Sequence, residues 1–176
     1  PGARYEVRGN GEMFPLNGPN WSLFFEYIGH ILYAVFIHRL STKALTVLVA
    51  LLGIGLAGFT IFDVSGYDMI GVGWTLDGVN FLGGSLRMLF PFSLGMLLSR
   101  NFKPFQMKGA FWICSIILLL LFCVPYIKVD NASISLNGLF EAVCIILIFP
   151  VLVWLGASGK TTDKRSTQIC KFLGDI

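Results

Sequence analysis

ALTVLVALLGIGLAGFTIF, residues 44–62, is a run of nineteen residues that carries no formal charge. A helix of that length rises about 28 Å, which is close to the thickness of the hydrocarbon core of a bilayer. The rest of the chain has a similar character, because 55% of its 176 residues are hydrophobic, 13% are charged and the mean hydropathy is +0.75. These values lie outside the range of an ordinary soluble domain. The sequence therefore predicts an integral membrane protein.

Similar apolar runs recur along the chain and predict five membrane-spanning helices. None shows the alternating pattern of a transmembrane barrel, so the predicted fold class is all-α, a polytopic membrane helix bundle forming one domain over residues 1–176. The second and fourth spans carry no formal charge, whereas each of the other three contains an ionisable residue. The predicted spans are residues 22–38, 44–62, 79–98, 110–127 and 138–156.

Charged residues in the connections predict the orientation. Lys and Arg follow the first, third and fifth spans, whereas Asp63, Asp68 and Asp77 follow the second, and Lys128 and Asp130 follow the fourth. Because basic residues are retained on the cytoplasmic side, the amino end is predicted outside and the carboxyl end inside. The net charge of +3 then belongs to the inner loops, and no nucleic-acid partner is expected.

The cysteines and glycines indicate neither a metal centre nor a nucleotide site. Three of the four cysteines lie in predicted spans, and no CxxC motif or Cys/His cluster is present. Gly53, Gly55 and Gly58 match the dinucleotide fingerprint by letter, but they lie inside an uncharged span. We interpret Gly53 and Ala57 as a small-residue patch for close helix contact.

Polar residues in the first span form one stripe. Ser22, Glu26 and His30 follow one another at four-residue spacing, and Tyr33 lies seven residues after Glu26. We expect this stripe to face the interior of the bundle, because a charge in hydrocarbon is costly. Glu26 is predicted to lie about one turn below the outer surface and His30 about two turns below it.

Arg87 lies near the middle of the third span, where an unpaired guanidinium would be the most costly group in the chain. Its expected partner is Glu26, with Glu141 second, or else a bound phosphate, carboxylate or thioester. Structural interpretations stay open: a Glu26–Arg87 pair can fix helix register, His30 can bond a neighbouring carbonyl, and Glu141 can reach the interface. Pro91 frees the backbone carbonyl of Arg87, which favours a polar cavity there.

Two longer segments resemble one enzyme family. Residues 17–26, NGPNWSLFFE, resemble the Trp-Ser-Leu-x-x-Glu signature of the acyltransferase 3 family, whose multi-pass members O-acylate bacterial surface polysaccharides. Residues 87–95, RMLFPFSLG, resemble a later helix of that family, and residues 172–176, FLGDI, resemble the opening of its late Ser-Tyr-Pro-Leu-Tyr helix. The matching positions are Asn17, Gly18, Trp21, Ser22, Leu23, Glu26, Arg87, Phe92 and Gly95.

This resemblance implies a multi-pass protein of the bacterial inner membrane with roughly ten helices, of which this chain supplies the central and later ones. The implied reaction moves an acyl group, acetyl in the first instance, from cytoplasmic acyl-CoA to a hydroxyl of a cell-surface carbohydrate. Acetyl-CoA is then a donor substrate and no cofactor is bound. The implied partners are membrane lipid, the carbohydrate acceptor and the missing helices of the same domain. The essential His and the early Arg-x-x-Arg motif of the family have no counterpart here.

In the implied mechanism the family His removes the hydroxyl proton, and Trp21 offers a stacking face at the outer mouth. Glu26 orients the acceptor or the His, while Arg87 holds Glu26 or contacts a substrate. The alternative is a transporter or flippase segment, which also places Glu, His and Arg inside a bundle and breaks helices with Pro. A packing segment without a site is a third interpretation. The candidate site-lining residues are Trp21, Ser22, Glu26, His30, Arg87 and Glu141.

Overall fold

The structure is a computed structural model that describes residues 11–103, 105–127, 134–160 and 164–174. The predicted loop charges Lys128 and Asp130 lie outside these ranges, as do Asp175 and Ile176 of the FLGDI segment. The described residues are mostly helical.

The chain forms α-helices with short connecting elements. A 3-10 turn, Ile37–Arg39, joins α1 to α2, and a π-helical segment, Cys144–Ile148, joins α5 to α6. Two short strands pair in parallel. Strand β1 (Met107–Lys108) lies between α3 and α4 in the chain, and β2 (Gly159–Lys160) follows α6. The α-helices are α1 Asn20–Val35, α2 Thr42–Ile61, α3 Gly78–Asn101, α4 Ala110–Phe122, α5 Leu136–Val143, α6 Phe149–Ala157 and α7 Lys164–Gly174.

Three helices are long and apolar enough to cross a membrane: Thr42–Ile61, Gly78–Asn101 and Leu136–Ala157, the last of which comprises α5, the π-helical segment and α6. They correspond to the predicted second, third and fifth spans. The predicted first and fourth spans form helices that are shorter than predicted, α1 with 16 residues and α4 with 13. At 1.5 Å per residue neither reaches the ~30 Å of a hydrocarbon core, so a bundle of five full spans is not confirmed.

Proline explains where α4 ends. Pro125 lacks an N–H, and its ring disfavours the helical conformation of the residue before it, so the helix ends at Phe122 although the apolar sequence continues to residue 127. Pro150 is tolerated differently. The π-helical segment precedes it, with Phe149 N–H donating to the Cys144 carbonyl, and the helix continues to Ala157.

Side-chain caps fix the start of each long helix. Ser41 Oγ accepts a hydrogen bond from Ala44 N–H at 3.2 Å, and Ser135 Oγ accepts one from Gly138 N–H at 2.7 Å. The Asp77 carboxylate accepts from two backbone N–H groups at the start of α3. A hydrogen bond from the Thr75 side chain, together with these backbone contacts, lowers the pKa of Asp77 from 3.8 to about 2.

The core lies where α2 packs against α3 and α5, while α1 packs on α3 and α4 on α6. Leu45 and Leu56 of α2 are fully buried and cluster with Phe90 of α3. Gly53 permits this approach, since a Cβ added there would lie 3.0 Å from the Phe90 ring. The predicted close contact at Gly53 is therefore confirmed.

Hydrogen bonds between connections show which helix ends lie together. Asp68, after α2, accepts from Tyr126 Oη at 2.8 Å and from Asn137 Nδ2 at 2.7 Å. Arg100, at the end of α3, donates from Nη1 to the Leu40 carbonyl before α2 at 2.7 Å. The acidic connection after α2 and the basic connection before it thus lie at opposite ends of the bundle.

Candidate functional site

An open cavity of about 560 Å³ lies between α1 and α3. Each helix contributes residues three or four positions apart, so the walls are the facing sides of the two helices. Its lining residues are Trp21, Ser22, Phe25, Glu26, Gly84, Arg87, Met88, Pro91 and Phe92.

Two glycines set the distance between these helices. A Cβ added to Gly84 of α3 would lie 2.5 Å from Phe25 Cζ, and one added to Gly29 of α1 would lie 2.6 Å from Met88 Sδ. Phe25 is only 1% exposed, so its ring is fixed between the helices. The cavity wall therefore depends on the absence of side chains at both positions.

The connection between α2 and α3, residues 62–77, enters the bundle. Ile70 is 7% exposed and Val72 is fully buried. Gly73 has φ +116°, a conformation that L side chains rarely adopt, and its N–H donates to Asn80 Oδ1 at 3.0 Å. The connection passes so close to α3 that a Cβ on Gly84 would lie 3.1 Å from the Gly73 Cα.

This connection binds the half-buried Arg87. The Arg87 Nη1 group donates to the carbonyl oxygens of Ile70 and Val72 at 3.4 and 3.5 Å. Its Cζ atom lies 5.0 Å from the Trp21 ring centroid, a cation–π contact. A guanidinium has five N–H donors, so these contacts leave donors for a ligand in the cavity that Arg87 lines.

Glu141 binds the same connection through another backbone group. Its Oε2 accepts from Ile70 N–H at 2.5 Å, whereas Arg87 donates to the Ile70 carbonyl. Glu141 is not among the cavity-lining residues. Among the described residues, neither of the two predicted carboxylate partners forms an ion pair with Arg87, and the role of Glu141 in the structure is to hold Ile70.

Glu26 lines the cavity but makes no hydrogen bond or ion pair with another described residue. The expectation that the stripe of Ser22, Glu26, His30 and Tyr33 faces the interior is not confirmed within the described residues, where all four side chains are exposed. Phe25 and Gly29 face α3 instead, since a ring fits against Gly84 and a bare backbone fits against Met88. The polar stripe lies beside this contact.

His30 lies next to the cavity without lining it. Its ring meets the Phe92 ring edge-on at a centroid distance of 5.7 Å, and Tyr33 meets the same ring at 6.2 Å. His30 makes no hydrogen bond with another described residue, so the expected bond to a neighbouring carbonyl is not present.

The remaining motif positions have local roles. Gly18 lines a smaller cavity of about 120 Å³, and Trp21 forms a wall of both cavities. The Asn17 carbonyl accepts from Asn20 N–H at the start of α1. Leu23 is 57% exposed and Gly95 is exposed, so neither contributes to the site within this chain. In the described part of FLGDI, residues 172–174 end α7.

Sequence reasoning missed three cavity residues, Phe25, Gly84 and Met88, and the entry of the α2–α3 connection. The adjacent Gly83 and Gly84 in an apolar helix are a usable signal for close approach. Nothing in the local sequence indicates that the peptide of Ile70 lies between Arg87 and Glu141.

The fold and the cavity define a helical protein with three helices long and apolar enough to cross a membrane. No protein-family model matches the chain, and searches of curated proteins and of solved structures likewise gave no match. Among the described residues, no group of three or more His, Cys, Asp and Glu side chains could hold a metal ion.

Proposed function

We propose that this chain is part of an integral membrane O-acyltransferase of the acyltransferase 3 type. The observation that carries the proposal is the 560 Å³ cavity, which brings Trp21, Ser22 and Glu26 of one resembling segment against Arg87 and Phe92 of the other. Glu26 and Arg87 lie 61 positions apart in the sequence. If the two segments form one active site, they must lie together in the folded chain, and both line this cavity.

The proposed reaction moves an acetyl group from cytoplasmic acetyl-CoA to a hydroxyl of a cell-surface carbohydrate. A base removes the hydroxyl proton as the oxygen attacks the thioester carbonyl, the carbon–sulfur bond breaks, and the departing thiolate takes the proton back from the base to leave as the thiol. By the resemblance that base is a His on helices of the same domain that this chain lacks. A transition state of this kind places negative charge on the carbonyl oxygen, which a fixed cation stabilises.

Arg87 suits that role because it is positioned before substrate arrives. Hydrogen bonds to two buried carbonyls and the contact with Trp21 hold the guanidinium, so little reorganisation accompanies the reaction. Glu26 is exposed on the same cavity and is available to accept a hydrogen bond from the acceptor hydroxyl. In this proposal Arg87 recognises the acyl donor and Glu26 recognises the acceptor hydroxyl.

The same proposal includes the topology. We place the amino end outside and the carboxyl end in the cytoplasm of a bacterial inner membrane, with α1 and α4 crossing beside the three long helices. The missing helices of the domain would cover the exposed stripe of Glu26 and His30, which hydrocarbon would not accommodate without a polar partner.

The test is an acyl-transfer assay in membranes from cells that express the protein encoded by the full coding frame. Transfer of labelled acetyl from acetyl-CoA to surface carbohydrate is measured for Glu26→Gln, Arg87→Gln and the control Tyr27→Phe, an exposed α1 residue outside the cavity lining. Losing Arg87 is expected to reduce transfer by about 10² to 10³-fold, as for one oxyanion donor. Wild-type membranes that consume no acetyl-CoA would refute the function, and unimpaired transfer in both cavity variants would refute the site.

A transporter or flippase segment is the second candidate. Pro91 lies inside α3 on the cavity wall, and the π-helical segment Cys144–Ile148 interrupts the third long helix. Interrupted helices around a polar cavity are typical of transporters. This candidate predicts an activity that requires an ion or proton gradient and consumes no thioester.

A further inference from the structure

Helix α7, Lys164–Gly174, has two chemically different sides. Its sequence, KRSTQICKFLG, contains three basic residues and no acidic one. At 100° per residue, Ile169 and Phe172 fall on one side and Lys171 falls on the other, while Arg165, four residues before Ile169, falls on the apolar side in the first turn of the helix. Ile169 is 42% exposed and Phe172 is 67% exposed.

Among the described residues, α7 makes no extended contact with another helix. An amphipathic basic helix with exposed aromatic and aliphatic side chains is stable neither in water nor within hydrocarbon. It fits the boundary between headgroups and acyl chains.

The position of α7 in the chain supplies the second observation. Only six residues, 158–163, separate it from the end of the Leu136–Ala157 span. Six residues reach at most about 20 Å, so the first turn of α7 lies within that distance of the membrane surface at which that span ends. Trp154, exposed in the last turn of α6, is the residue type that concentrates at this boundary.

We propose that α7 lies in the membrane interface, with Ile169 and Phe172 among the acyl chains and its basic residues on anionic lipid headgroups. Lys171 is exposed on the opposite side, and Arg165 is exposed in the first turn, where its long side chain can extend from the apolar side to the headgroups. Each basic residue near an anionic surface raises the ratio of docked to undocked helix by about fivefold. The proposal is independent of acyl transfer.

The experiment reconstitutes the full chain in vesicles of neutral lipid alone or with one quarter anionic lipid. A genetically encoded fluorescent amino acid replaces one residue at a time at positions 168, 169, 171 and 172, which leaves the native cysteines in place. Quenching by nitroxide on the lipid chains and by aqueous iodide is measured at each position. We expect nitroxide quenching to peak at 169 and 172 and iodide quenching to peak at 171.

Charge variants complete the test. Arg165→Gln and Lys171→Gln are each expected to lower the docked-to-undocked ratio about fivefold in anionic vesicles, whereas Lys43→Gln, at the start of α2, leaves it unchanged. Iodide quenching at all four positions would place α7 in water and overturn the proposal. Shielding of 169 and 172 from both quenchers would indicate a protein partner and also overturn it. Equal docking on neutral and anionic vesicles would overturn the assignment of an anionic lipid.

Discussion

Replacing Gly84 by Ala tests whether a bare backbone at this position sets the cavity wall. The added Cβ would lie 2.5 Å from Phe25 Cζ and 3.1 Å from the Gly73 Cα. Ordinary carbon contacts are about 3.5–4.0 Å, so Phe25 must move by about 1 Å or more. The ring has little room to retreat, because Phe81 lies against it at a centroid distance of 5.7 Å and its side chain is 1% exposed.

The expected cost of this overpacking is about 1–3 kcal/mol. Ala also gains about 1 kcal/mol over Gly from helix propensity, and that gain must be removed before the clash can be measured. Gly95→Ala is the matched control, since it lies in the same helix and an added Cβ meets nothing within 4 Å. The difference between the two variants then reports the clash alone.

The assay is reversible denaturant unfolding of both variants in the same lipid or detergent. We expect Gly84→Ala to be less stable than Gly95→Ala by about 1–3 kcal/mol. Equal free energies of unfolding would refute the reasoning, because they would mean that α1 and the α2–α3 connection do not approach α3 as closely as the structure shows.

Two further predictions concern groups outside the membrane-spanning segments. Asp77→Ala removes the cap of α3 and is expected to cost about 1 kcal/mol in unfolding free energy. Since the folded-state pKa of Asp77 is lowered from 3.8 to about 2, its stabilisation is fully present above pH 3.8 and is lost as pH falls through about 2. Unfolding measured at several pH values should therefore show the gap between wild type and variant closing over that window, and a gap independent of pH would contradict this account. Tyr126 donates a hydrogen bond to Asp68, which raises the pKa of Tyr126 above its usual value of 10. Asp68→Asn should bring the ultraviolet titration of Tyr126, identified by its loss in Tyr126→Phe, back towards lower pH, and an unmoved titration would show that Asp68 is not the cause.

The sequence predicted the helical class because nineteen uncharged apolar residues have few alternatives to a buried helix. It overestimated the lengths of α1 and α4, because the apolar sequence continues past the residues at which these helices end. Pro125 was visible in the sequence, and the end of α4 could have been placed before it. The end of α1 at Phe36, with φ −124° and ψ −55°, has no such local signal.

The site was predicted in part. Ser22 and Glu26, grouped by their four-residue spacing, line one cavity with Arg87, although the expected Glu26–Arg87 pair is not present among the described residues. The rotation of α1 was not predictable from periodicity, because it is decided by the fit of Phe25 against Gly84, which is a long-range contact. The backbone partner of Arg87 and the carboxylate that holds it were not predicted either, because both contacts join residues far apart in the sequence. Ile70 lies 17 positions from Arg87 and 71 from Glu141.

Glu26→Gln and Glu141→Leu test whether these two carboxylates have different roles. Glu141 accepts a hydrogen bond from Ile70 N–H, so Glu141→Leu leaves a backbone donor without its acceptor and should cost about 1–3 kcal/mol in unfolding free energy. Glu26 has no partner among the described residues, so Glu26→Gln should change stability by less than about 0.5 kcal/mol. If acyl transfer nevertheless falls in Glu26→Gln, the loss must come from contact with substrate or with the additional helices that the proposed function requires. A Glu26→Gln variant as unstable as Glu141→Leu would instead identify Glu26 as a packing residue, and the cavity would lose its proposed acceptor group.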